Sequence, residues 1–196
     1  DEVVPNSKFA DTVQDRAREF AAASTKNAPE SGIALNPLSR TIAENGSVTY
    51  SLVEIAVERD GRRATITLHG PDGDAPADAA ALTALGDRSY FLRLARELDD
   101  AILHLRLNEM ELGLLAFRSQ GDAAKVLAEE KLLFDNADHW LANEILQYWK
   151  RVMKRIDVTS RSLVAFVENG SCFAGMLAEV LSAAWSASYE AEGESE

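Results

Sequence analysis

The 196 residues provide for one ordinary domain or two incomplete ones. A formal charge of −12, from 20 Lys and Arg against 32 Asp and Glu, excludes the cationic neutralisation of phosphates that nucleic-acid affinity requires. With 46% hydrophobic and 27% charged residues the chain can fill a core, and no run approaches the ~20 apolar residues of a membrane helix.

The acidic start Asp1-Glu2 lacks the basic and apolar regions of a signal peptide. The lone Cys172 excludes an internal disulfide and a cysteine-based zinc cluster, and is what a reducing, cytoplasmic setting leads one to expect. Asn45 and Asn169, each followed by Gly-Ser, then read as turns.

From Ser7 to Ser24 the residues Phe9, Val13, Ala17, Phe20 and Ala21 fall on one helical stripe, with Ser7 as the expected N-cap. Residues 26–46, carrying Pro29, Gly32 and Pro37, read as a linker, which leaves that stripe without a neighbour in sequence. Period-two alternation then begins: Val48, Tyr50 and Leu52, followed by Val53, Ile55 and Val57, lead to a turn at Arg59-Asp60-Gly61 and a return strand through Ala64, Ile66 and Leu68. An acidic loop, Gly70 to Pro76, closes this hairpin.

Tyr90 to Leu107 is helical, with Phe91, Leu94, Leu98, Ile102 and Leu105 inward and Arg93, Arg96, Glu97 and Asp100 outward. Leu112 to Phe117 suits a buried strand, and Asp122 to Asp135 and Asp138 to Ile156 suit two further helices. Leu163 to Val167 is a second buried strand, turned at Asn169-Gly170 into a helix that starts near Gly175 and fades before the acidic tail 190–196. Hairpin, helix, strand, helices, strand and helix make an α/β layout with right-handed crossovers.

Two strand-to-helix junctions expose backbone N–H groups where negative charge is stabilised: Phe117 to Asp122, and Glu168 to Gly175. One donor from each would form a minimal oxyanion hole, although glycines in such turns commonly serve geometry alone. Glu179, one turn beyond Gly175, suits a general acid or base, and equally a solvated glutamate at a helix start. No histidine neighbours Cys172, and His69, His104 and His139 have no ligand spacing, so neither nucleophilic catalysis nor a metal is expected. Trp140, Tyr148 and Trp149 read as core or interface. Lys150, Arg151, Lys154, Arg155 and Arg161 form the one basic patch, which fits a nucleotide phosphate or, more simply, a solvated face.

Several stretches carry a family likeness: Asp1 to Pro5 with the Phe9–Ala23 helix, the Glu58–Leu68 hairpin, Ala95 to Leu103, Ile156 to Leu163, and Gly170-Ser171-Cys172-Phe173-Ala174-Gly175. On these the chain resembles the crotonase (enoyl-CoA hydratase/isomerase) superfamily, and within it a ring-opening branch. The resemblance implies an incomplete crotonase-like ββα-type unit over 47–189, preceded in 1–25 by the terminal helix of another unit. It implies that both ends are cut and that the 196 residues alone are inactive. The implied reaction opens the ring of 2,3-epoxybenzoyl-CoA with loss of one carbon as formate, needs no metal or redox cofactor, and is run by a homo-oligomer whose only small-molecule partner is the CoA thioester.

Carried over by position, Gly121 and Asp122 match the first oxyanion-hole turn, Gly175 the second, and Glu179 the first catalytic glutamate. Ala174-Gly175-Met176-Leu177 replaces the family's consecutive glycines and sets two bulky side chains beside the thioester path, as in a degenerate copy. A generic hydratase or isomerase and a non-catalytic scaffold module are the competing readings.

Overall fold

A computed structural model describes residues 2–24, 32–184 and 186–189, the last segment by its backbone. Two contact units divide the chain, Asp1–Gly32 and Ile33–Glu196. In the first, helix α1 (Asn6–Ala23) buries none of its residues, and Phe9, Val13 and Phe20 stay exposed on its apolar stripe. Its N-cap is Pro5 and not the expected Ser7; no side chain caps the helix, and the Pro5 carbonyl instead accepts from Lys8 N–H (2.9 Å). Arg16 holds Glu2 and Glu19 along the surface.

The second unit is a seven-stranded sheet flanked by helices, with strands in sequential order. Of the expected linker, 26–31 lies outside the described residues, while β1 (Thr41–Ile42) pairs antiparallel with β2 (Val48–Thr49). The alternating stretch up to Glu58 is two strands rather than one: β2 turns back on β3 (Val53–Glu58), placing Val48 opposite Ile55. A buried glutamate sets this corner. Glu97 accepts from Ser51 Oγ (2.5 Å) and from the Leu52 amide (2.7 Å), so it points inward and not to solvent as its polarity suggested.

β3 pairs antiparallel with β4 (Arg63–His69) through the expected hairpin, with Ile55 opposite Ile66. Parallel pairing then takes over. The chain returns through α2 (Ala79–Leu85), capped by the Asp78 carboxylate on Ala81 N–H (2.8 Å), and α3 (Tyr90–Asn108) to β5 (Leu114–Gln120) beside β4. Helices α4 (Ala123–Asp135) and α5 (Trp140–Asp157) lead to β6 (Ser162–Val167) beside β5. A 3-10 turn at Gly175–Ala178 and the short α6 (Glu179–Ala183) precede β7 (Ser186–Tyr189), which pairs parallel with β6 where a continuing helix was expected. The acidic tail 190–196 lies outside the described residues.

The expected α/β architecture is therefore the one observed. Period two along β3 buries Val53, Ile55 and Val57 on one face, and along β4 buries Ala64, Ile66 and Leu68. Against β3 packs α3, which in turn packs on α5 where the Phe91 and Trp149 rings meet edge to face at 5.6 Å. Trp149 is thus core, and its indole N–H donates to the Met176 carbonyl (3.2 Å). The basic patch is dispersed: Arg155 pairs with Asp99 (2.7 Å), Arg151 stacks over Tyr148, and Arg161 turns to backbone carbonyls. No helix among the described residues is long and apolar enough to cross a membrane.

Candidate active site

Because β4, β5 and β6 run parallel, their carboxyl ends lie along one edge of the sheet, with His69 in register with Gln120. The chain leaves this edge through Gly70, Gly121 and the Glu168–Cys172 turn. The three departures are knitted together: Gly70 N–H donates to Gln120 O (2.8 Å), Gly121 N–H to Gly170 O (3.0 Å), and Cys172 N–H to Ser119 Oγ (2.9 Å). Gly121 has φ +149°, and a Cβ there would stand 2.9 Å from the Gly70 Cα, closer than non-bonded carbons approach. Only glycine lets these two loops touch.

The two junctions singled out in the sequence are therefore in contact, and of the three N–H groups expected as donors one, that of Gly121, is already engaged. The Gly121 amide is occupied by the Gly170 carbonyl, because the turn that brings the loops together uses that hydrogen bond to do so. Asp122 is the N-cap of α4, its Oδ1 accepting from Ala124 N–H (2.8 Å), and among the described residues no hydrogen bond engages its own N–H. Gly175 opens its 3-10 turn with φ +51°, and its N–H is likewise without a partner among the described residues. The carboxylate of Glu130, from α4, fills the space a Gly175 side chain would need.

Met176 and Leu177 do not crowd this edge. Both side chains are buried in the main hydrophobic cluster, so the replacement of two glycines adds volume to the core rather than to the approach. Glu179 is the first residue of α6, exposed and without a hydrogen bond among the described residues. The Cys172 thiol lies against Gly70 and Gly121, and burial first of all pushes its pKa up, the reverse of what a nucleophilic cysteine needs.

A second carboxyl was not singled out in the sequence. Glu129 of α4 is 6% exposed, hydrogen-bonds to nothing among the described residues, and is pushed up to about 7 by loss of solvent. It neighbours Tyr90, whose hydroxyl donates to the His69 carbonyl (3.1 Å) at the end of β4. The Tyr90 phenol is raised chiefly by its own burial and further by the charges of Cys172 and Glu129. The signal was available: Val126, Glu129 and Leu132/Leu133 share one helical stripe, and a carboxyl in an apolar stripe is buried.

Paired loops thus leave the carboxyl ends of parallel strands beside helix starts, the kind of edge at which open α/β sheets generally bind ligands. Among solved structures the chain is similar to an enoyl-CoA hydratase from Shewanella pealeana, at TM-score 0.44 and 12% identity over 70% of this chain and 46% of that one. An enoyl-CoA hydratase/isomerase from Marinobacter aquaeolei gives TM-score 0.41 and 10% identity over 70% and 48%. No protein-family profile matches. In sequence the chain is similar to benzoyl-CoA-dihydrodiol lyase from Aromatoleum evansii, 41% identical over 184 residues that make up 94% of this chain. The chain spans 33% of that lyase's length. The resemblance read from the sequence is borne out by this match.

Proposed function

We propose that the chain forms part of a CoA-thioester lyase that opens the ring of 2,3-epoxybenzoyl-CoA hydrolytically, taking up two water molecules as it releases formate and leaves 3,4-dehydroadipyl-CoA semialdehyde, during aerobic benzoate degradation. The observation that carries this reading is the 41% identity, sustained over 94% of the chain, to a protein named for benzoyl-CoA chemistry. In this reading the enzyme is a cytoplasmic homo-oligomer that needs neither metal nor redox cofactor.

The carboxyl edge of β4–β6 receives the thioester. Its carbonyl oxygen accepts from the N–H groups of Asp122 and Gly175, which stabilise the enolate beside the breaking bond more strongly than they bind the neutral carbonyl. Gly121 acts as the turn that holds the first donor in place rather than as a donor. Glu179 exchanges the proton that ring opening requires.

The test is release of formate and aldehyde by the complete protein supplied with 2,3-epoxybenzoyl-CoA. Glu179→Gln is expected to lower that rate by about 10²–10⁴, the usual worth of a positioned acid or base. Neither product forming would reject the lyase, and turnover of crotonyl-CoA in its place would point to a generic hydratase.

A second reading, a non-catalytic module that supports an active partner domain, is favoured by the occupied Gly121 amide and the exposure of Glu179. An unchanged rate for Glu179→Gln in the complete enzyme would establish it.

A further inference from the structure

At the opposite edge of the sheet, where β5 and β6 begin, a cleft of about 370 Å³ opens beside the C-terminus of α3. Arg62, Arg106 and Arg161 line it with Thr159 and Ser160. None of the three guanidiniums has a carboxylate partner among the described residues, although eight other arginines of this acidic chain form ion pairs. Glu111, the carboxylate at the rim, pairs with none of them.

Three further observations meet at the same place. Thr159 is 3% exposed, and its hydroxyl is buried without a hydrogen-bond partner, a condition that costs free energy unless something completes it. Arg62 (φ +49°) and Ser160 (φ +60°) hold left-handed backbone conformations, and they are the two non-glycine residues that do so among the described residues. At Arg62 a glycine stands immediately before, so the strained position carries a side chain where its neighbour would bear the strain freely.

Arg161 donates to the carbonyls of Leu105, Glu109, Leu112 and Thr159, which leaves one of its five N–H groups for a ligand. Burial and the repulsion of Arg106 hold its pKa below the usual guanidinium range, which locates the two cations within mutual influence.

We propose that this cleft binds a small phosphate-class oxyanion between Arg62, Arg106 and Arg161. A tetrahedral dianion has acceptors enough for several forked cations, and its charge offsets the repulsion between the guanidiniums. The site lies across the sheet from the thioester edge, so it stands or falls independently of the lyase reading.

The test is a titration of the 196-residue chain with inorganic phosphate at fixed ionic strength, following the arginine Nε–H resonances by NMR. The Arg106 and Arg161 signals are expected to shift saturably. Arg106→Ala and Arg62→Gly are each expected to weaken binding at least ten-fold. Arg62→Gly separates binding from folding, because glycine accepts φ +49° and the melting temperature should hold or rise. Absence of a saturable shift, native affinity retained in either variant, or an equal response to acetate would overturn the proposal.

Discussion

At the scale of single residues, Glu129 is the group whose environment and sequence disagree most. A carboxyl that is pushed up to about 7 in the fold, and ordinary when unfolded, holds its proton more tightly in the native state. The folded protein therefore binds more protons between pH ~4.5 and ~7, and stability falls as pH rises through that window. The penalty is absent below it and reaches about 3 kcal/mol above it. Glu129→Gln should consequently stabilise the protein at pH 8 relative to the native chain and change little at pH 4.5, as read by urea denaturation at both values. Parallel curves for the two proteins would show that the buried carboxyl is not the source.

Other residues show the same division between what pattern reveals and what packing decides. Gly121, Asp122 and Gly175 were legible as turn and cap positions from residue type alone. That the Gly121 amide is occupied was not, because its acceptor, Gly170, lies 49 residues along the chain at the end of another strand. The direction of Met176 and Leu177 was hidden for the same reason: a short 3-10 turn has no long stripe from which to read a face.

At the scale of elements, α3, α4, α5, β3 and β4 were legible almost to the residue, since each is long enough to show its period. Shorter pieces were not. α2 has seven residues, two turns of Ala-rich helix whose one strong signal is the Asp78 cap, and β1 and β2 have two residues each. The break between β2 and β3 left only a slight trace, a one-residue slip of the period-two phase at Leu52-Val53 with no Gly or Pro to mark a turn; a tertiary contact, Glu97 on α3, makes the corner. That corner is testable. Glu97→Ala leaves the Leu52 amide buried without its acceptor and removes two charge-assisted hydrogen bonds, for an expected loss of ~3 kcal/mol in urea denaturation. Glu97→Gln keeps an acceptor oxygen and should cost about half as much. A loss under ~1 kcal/mol for the alanine variant would mean that the strand ladder holds the corner unaided.

At the scale of the whole molecule, the patterning determined the class of fold but not the order of the sheet. Parallel neighbours such as β4 and β5 are joined across 44 residues, and β7 is recruited to the edge by pairing rather than by its own composition. The apolar stripe of α1 was legible too, and the structure gives it a specific consequence. An 18-residue helix with no buried residue draws on local hydrogen bonds and surface ion pairs alone, and such helices are marginal in water. Deleting residues 1–32 should therefore leave the sheet-and-helix unit with its cooperative transition intact and shift its melting temperature by no more than ~3 °C, which corresponds to about 1 kcal/mol in a domain of this size. Far-ultraviolet circular dichroism would register the loss of one helix while near-ultraviolet bands from the buried Trp149 stay unchanged. A drop of ten degrees or a broadened transition would show instead that the unit depends on the segment for its stability.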